Sequence, residues 1–186
     1  MHSVSIKTNE IIDDADHILI TRDRIQEKVK ELAEIISADY RDKVPVMVCV
    51  LNGSFMFFAD LVRELRIDCE VDFIKISSYG DAMKSSGTVT IKKNVDCHLE
   101  GRDVIIVEDI IESGLSVQFL REHLQKMNPK SIRFVSLLIK QGTAEVDYEC
   151  EYYGFTIPNR FVIGYGLDYA QKLRNLPAVY LMPNSE

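Results

Sequence analysis

Apolar positions recur along this chain with two periods. Ile25, Val29, Leu32, Ala33 and Ile36 fall at helical spacing. The pattern predicts an amphipathic helix over residues 21–40, with Thr21 as its cap. Residues 46–51 form an unbroken apolar run rich in β-branched side chains, the mark of a strand covered on both faces. That run stops at Asn52-Gly53-Ser54, and Phe57, Phe58, Leu61, Val62 and Leu65 then return to the helical period. Residues 71–76 read as a strand, 77–86 as a polar stretch holding Gly80 and Lys84-Ser85-Ser86, and 88–91 as a short strand.

The alternation then repeats. Residues 104–107 read as a buried strand, and Gly114 and Ser116 punctuate it. Val117, Leu120, Leu124 and Met127 give a helix that ends before Pro129, and 132–139 is another apolar strand. Shorter strands are predicted at 161–164 and 179–182. Strand–helix alternation of this kind predicts an α/β fold: a doubly wound, mostly parallel sheet with helices on both faces, in a single domain spanning 1–186. Ligands of such folds sit beyond the carboxyl ends of the strands. Three polar or glycine-containing segments fall there: 52–54, 108–116 and 140–142.

Composition narrows the function classes. Of 186 residues, 46% are hydrophobic and 27% charged, which excludes a disordered or fibrous chain. The 22 basic and 29 acidic residues leave a net charge of −7, which argues against a broad basic face for duplex nucleic acid or an anionic membrane. A local cationic pocket stays compatible with it. The most apolar stretch, 44–59, is broken at 52–54, so no membrane span is expected. Lys7, Glu10, Asp13 and Asp14 precede any long apolar run, so no secretory signal is read and a cytoplasmic location is expected. Cys49, Cys69, Cys97 and Cys150 form no C-x-x-C pair, which points to reduced thiols rather than a zinc or redox motif.

The most informative segment is Val107-Glu108-Asp109-Ile110-Ile111-Glu112-Ser113-Gly114-Leu115-Ser116. Two adjacent acids follow a buried strand. A third acid, two hydroxyl residues and a glycine lead into a helix. Residues 113–116 can offer backbone N–H groups and hydroxyls to a phosphate at the positive end of that helix, and Gly114 allows close approach. Glu108 and Asp109 suit sugar hydroxyls, or a magnesium ion shared with phosphate. A phosphate cradle beside two carboxylates fits a phosphorylated ribose.

This segment resembles the phosphoribosyl diphosphate (PRPP) motif of type I phosphoribosyltransferases. The wider chain resembles the hypoxanthine-guanine phosphoribosyltransferase family from about residue 46 to residue 181. The resemblance also rests on Val50-Leu51-Asn52-Gly53-Ser54, Ser78-Tyr79, Leu138-Ile139-Lys140, the run from Phe161 to Tyr169, and Arg174. Family members usually carry aspartate where this chain has Glu112 and threonines where it has Ser113 and Ser116. Many have lysine in place of Asn52. Serine keeps the hydroxyl. Glutamate keeps the charge and moves it outward by roughly one carbon–carbon bond.

The resemblance implies a small hood built from the chain termini and a transfer of phosphoribose from PRPP to a purine base, with Mg2+ as cofactor. It implies that Glu108 and Asp109 serve the ribose hydroxyls, directly or through magnesium, and that Ser113, Gly114, Leu115 and Ser116 hold the 5-phosphate. Leu51, Asn52 and Gly53 would form a pyrophosphate loop, often with a non-proline cis peptide, and Arg174 would meet pyrophosphate from the other side. Glu112 would accept a proton from the base. Lys140 would donate to the purine 6-oxo group, Phe161 would stack on the base, and main-chain groups of Val162 and Asp168 would meet its edge. Asp168 would also take a second magnesium, and Ile111 would wall the base pocket. Ser78 and Tyr79 would belong to a mobile lid spanning 77–91. The implied assembly is a homodimer or homotetramer, with small-molecule substrates, no nucleic acid and no membrane.

Three other readings remain at this stage. A non-catalytic PRPP or nucleotide sensor on the same fold would need a basic, aromatic-bearing face. A dinucleotide-dependent oxidoreductase expects G-x-G-x-x-G after the first strand, and that string is absent. A xanthine preference would leave the same motifs in place.

Overall fold

The structure is a computed structural model that describes residues 17–79 and 88–182. The first long helix, α1 (Arg22–Asp39), begins where the sequence predicts it. Thr21 Oγ1 accepts a hydrogen bond from the Arg24 N–H at 3.3 Å, so one of the otherwise unpaired amides of the first turn is satisfied. Its apolar stripe, Ile25, Val29, Leu32, Ala33 and Ile36, is buried.

The central sheet holds β2 (Val46–Leu51), β3 (Glu70–Tyr79), β4 (Thr88–Lys93), β5 (Asp103–Ile111), β6 (Ser131–Lys140) and β7 (Tyr152–Ile157). Their order is β4-β3-β2-β5-β6-β7, parallel throughout except for the β3–β4 hairpin at one edge. The uninterrupted apolar run of β2 is explained by burial on both sides. Met47 and Cys49 pack with α1 and with Phe57 and Leu61 of α2 (Phe55–Glu64). Val46, Val48 and Val50 pack instead with Val117, Leu120 and Leu124 of α3 (Leu115–Gln125). The sheet is thus doubly wound, with two helices on one face and one on the other.

A second sheet of three strands forms a hood with the order β1-β9-β8, from β1 (Ile18–Ile20), β8 (Val162–Ile163) and β9 (Val179–Leu181). Its strands are antiparallel, and Ile163, Leu173, Leu176, Ala178, Tyr180 and Met182 fill a small core of its own. The hood draws on both ends of the described chain, as the family resemblance implies.

Three differences from the sequence reading have physical causes. The three-residue β1 is too short to show a period. Strand β7 carries a mid-strand glycine and exposes Tyr153, so it lacks a continuous apolar run. A Cβ on Gly154 would lie 2.6 Å from the Leu137 carbonyl oxygen and 3.2 Å from Lys28 Cγ, so the glycine lets α1 lie close on the sheet. Strand β5 runs on through Ile111 rather than ending at 107, with Glu108 opposite Ser136 and Ile110 opposite Leu138. The acids therefore sit on the strand, not after it. Among the described residues no helix is long and apolar enough to cross a membrane.

Candidate active site

The carboxyl ends of β2 and β5 meet the hood loop, residues 164–174, and the contacts there are built on glycine. The peptide bond Leu51–Asn52 is cis. Ser54, fully buried, donates its hydroxyl to the Val50 carbonyl and lies 3.3 Å from Cys49 Sγ, which fixes the turn into α2. A Cβ on Gly53 would lie 1.7 Å from Asp109 Oδ2. Only glycine lets that carboxylate rest against the loop. On the other side Gly166, at φ +99°, approaches so closely that a Cβ would lie 2.0 Å from the Gly53 carbonyl oxygen.

Gly166 is held in turn by Arg174. The guanidinium donates to the Gly166 carbonyl at 2.8 Å, and the Gly166 N–H donates to the Arg174 carbonyl at 2.9 Å. Arg174 also pairs with Asp168 at 2.9 Å and donates to Gln171 Oε1 at 3.2 Å. The Gln171 N–H donates to Asp168 Oδ2 at 2.8 Å. Asp109, Gly53, Gly166, Arg174 and Asp168 therefore make one continuous cluster, although they come from three separate stretches of chain.

Its electrostatics follow from burial. Glu108 is 6% exposed, and desolvation together with the charge of Asp109 raises its carboxyl well above the usual range. Burial pushes Asp109 up to about 6, against the opposing pull of backbone N–H donors and the Arg174 guanidinium.

The segment after β5 is strapped from outside. The Ser113 carbonyl accepts from the N–H groups of Glu145 and Val146 at 2.9 and 3.4 Å. Thr143 Oγ1 donates to the Glu112 carbonyl at 2.9 Å and lies 3.3 Å from that of Lys140. Ser113 Oγ accepts from the Leu115 N–H at 3.4 Å. Gly114, at φ +83°, caps α3 and lies under the Tyr148 ring, where a Cβ would come within 2.4 Å of a ring carbon. Leu115 and Ser116 form the half-buried start of the helix.

Lys140 ends β6 as a buried lysine. Its ammonium lies 2.5 Å from Glu112 Oε1, while the glutamate is half-exposed. Phe161 stays 43% exposed and meets Tyr169 edge-on at 6.2 Å between ring centroids. Val162 is buried in β8.

Ile111 departs from the sequence reading. Its side chain is 3% exposed and packs in the core with Val48, Val117 and Leu120, so it does not wall an open pocket. Alternation along β5 changes phase at the acids, and Ile110 is the half-buried residue there. The backbones of Ser78 and Tyr79 lie in β3, opposite Val89 and Thr88. Their side chains, and residues 80–87 of the expected lid, lie outside the described residues. Sequence reasoning missed the straps Thr143 and Tyr148 and the seat Gly166. Gly164-Tyr165-Gly166 was the available signal, two glycines flanking one residue next to a strand.

The fold and this cluster define a phosphoribosyl transferase. The phosphoribosyl transferase domain family matches residues 20–170. The chain is 43% identical over 166 residues to the hypoxanthine-guanine phosphoribosyltransferase of Bacillus subtilis, covering 89% of this chain and 92% of that protein. It is 46% identical over 164 residues to the hypoxanthine phosphoribosyltransferase of Salmonella typhimurium, covering 87% and 92%. A crystal structure of a hypoxanthine-guanine phosphoribosyltransferase from Bacillus anthracis, with HEPES in the active site, matches with a TM-score of 0.85 at 45% identity, over 89% of this chain and 97% of that one. The chain belongs to the hypoxanthine-guanine phosphoribosyltransferase family.

Proposed function

We propose that the protein is a purine-salvage enzyme that transfers the 5-phosphoribosyl group of PRPP to hypoxanthine or guanine, forming IMP or GMP and pyrophosphate. The observation that carries this reading is the meeting of Asp109, Gly53 and the Gly166–Arg174 pair at one point beyond the strand ends. Two backbone turns, an arginine and the Asp109 carboxylate converge there, as a polyanionic leaving group beside a ribose requires.

The base end is supported by Glu112 and Lys140. An oxopurine presents a ring N–H next to a 6-oxo group. A carboxylate beside an ammonium matches that edge, the first accepting and the second donating. Adenine would set its amino group against the Lys140 ammonium, donor facing donor. Glu112 is then the proton acceptor that keeps the attacking nitrogen electron-rich. Exposed Phe161 is assigned to stacking on the base, with Val162 and Asp168 at its edge and Ile110 as the apolar wall in place of Ile111. Glu108 and Asp109 are assigned to the ribose, and residues 113–116 at the positive end of α3 to the 5-phosphate. Ser78 and Tyr79 are assigned to a cover over the reacting centre, which would keep water from the activated ribose.

Among the described residues no group of three or more acidic, histidine or cysteine side chains is placed to hold a metal alone. Mg2+ keeps several waters and shares substrate phosphate oxygens with one or two carboxylates, so it needs no such group. Buried Glu108 and half-buried Asp109 are hard oxygen donors suited to it, and Asp168 is the third candidate. When bound, the ion would supply charge neutralisation on the departing pyrophosphate.

The proposal extends to one cytoplasmic domain acting on small molecules as a homodimer or homotetramer. The exposed apolar residues Phe55, Val71 and Phe73 on α2 and β3 support self-association, and sedimentation velocity tests it. The function is tested by offering hypoxanthine, guanine, xanthine and adenine in turn with PRPP and Mg2+. Nucleotide is expected from the first two. No product from either, or product from adenine alone, overturns the reading.

A further inference from the structure

Three consecutive residues of the hood loop lie in the left-handed region: Gly164 at φ +92°, Tyr165 at +49° and Gly166 at +99°. The glycines adopt it freely. Tyrosine does so at a cost of about 1 kcal/mol or more, so something must hold it there. The Tyr165 side chain is 6% exposed, and its hydroxyl donates to Asp60 Oδ2 at 2.7 Å. Gln26 Nε2 donates to the same oxygen at 2.8 Å, and Arg63 pairs with Asp60 Oδ1. One carboxylate on α2 therefore gathers a residue of α1, a residue of its own helix and the hood loop. These bonds draw the Asp60 carboxyl below its ordinary value although burial works the other way.

The placement gives this cluster a purpose. Helix α2 begins directly after the Gly53–Ser54 turn. The residue after Tyr165 is Gly166, which sits on the Gly53 carbonyl and accepts from Arg174. Asp60 and Tyr165 thus join the two walls of the pyrophosphate end from behind, the β2–α2 turn on one side and the hood loop on the other. Neither residue is in the phosphate cradle or beside Glu112 and Lys140.

We infer that Asp60 and Tyr165 are positioning residues that set the distance between the Gly53 turn and the Gly166–Arg174 wall, and so the grip of the site on the pyrophosphate of PRPP. This inference rests on the proposed reaction. The charged hydrogen bond acts as a fixed strut between helix layer and hood.

The test is steady-state kinetics with the full chain. Tyr165→Phe removes only the hydroxyl, and Asp60→Ala removes the acceptor. Each is expected to raise KM for PRPP by about tenfold while KM for the oxopurine stays within about twofold. Asp60→Asn keeps an oxygen acceptor for the phenol and is expected to recover most of the loss. If Tyr165→Phe does not fold, Gln26→Ala weakens the same cluster from α1 and must raise KM for PRPP by about threefold. An unchanged KM for PRPP in the folded variants, or equal rises for both substrates, overturns the inference. Wild-type protein that forms no nucleotide overturns the proposed reaction instead, so the two failures are distinguishable.

Discussion

Glu112 and Lys140 come from the ends of neighbouring strands, and their charges lie 2.5 Å apart. In the proposed reaction the pair does two separate jobs. The carboxylate takes a proton, so Glu112→Gln keeps size and polarity but loses basicity. Its turnover is expected to fall more than about tenfold with little change in PRPP affinity, measured by initial rates and calorimetry. Near-normal turnover would remove Glu112 from its role. The ammonium recognises the oxo group, so Lys140→Ala is expected to lose most use of hypoxanthine and guanine in a competition assay. Retained oxopurine use would refute the specificity argument. Gly53 carries a different kind of constraint. Any side chain there must displace the Asp109 carboxylate. Gly53→Ala is therefore expected to lower kcat/KM for PRPP by about a hundredfold or more, with a much smaller effect on thermal stability.

At the scale of elements, legibility tracked burial. Strand β2 and the apolar stripe of α1 were readable because both faces of the one and one face of the other are covered, and covered faces impose a period. Glu108, Asp109 and the 113–116 segment stood out in the sequence because two adjacent acids, small hydroxyls and a glycine beside a buried run form a rare combination, and their roles belong to the proposed reaction. Asp60 and Tyr165 were not, since their pairing spans 105 positions and leaves no local pattern. Asp72 is a further case. Inside β3 it looks misplaced, yet it is 6% exposed and accepts from the N–H groups of Phe73, Asp96 and Cys97 at 2.7, 2.7 and 2.8 Å. Burial opposes its ionisation, but these donors prevail and hold the carboxyl down at about 2, from an ordinary 3.8. The folded state thus favours the charged form, and the resulting stability is complete above about pH 4 and lost as pH falls towards 2. Asp72→Asn is expected to cost about 2 kcal/mol at pH 7 and to flatten that acid limb in urea unfolding between pH 5 and 2.5. An acid limb as steep in the variant as in the wild type would show that the titration lies elsewhere.

For the whole molecule, the decisive feature is that the site belongs to neither sheet alone. Asp109 and Gly53 come from the parallel sheet, while Gly166, Asp168 and Arg174 follow strand β8 of the hood. The hood buries Ile20, Val162 and Val179 in the core of the main sheet and keeps a small core of its own around Ile163 and Tyr180. A ligand bridging them must strengthen the contact between the two, and it binds only the folded chain. At a concentration 100 times its dissociation constant, Mg-PRPP is expected to add about 2.7 kcal/mol to unfolding. For a chain of this size that corresponds to a rise in Tm of about 5–10 °C. Arg174→Ala removes the cation on the hood side. If affinity falls tenfold, the ligand-induced rise at the same concentration is roughly halved. Differential scanning calorimetry with and without Mg-PRPP measures both values. Comparing shifts rather than absolute midpoints removes the structural cost of losing the Arg174 bond to Gly166. An undiminished shift in Arg174→Ala would mean that the hood takes no part in holding the substrate, and the bridging site would have to be abandoned.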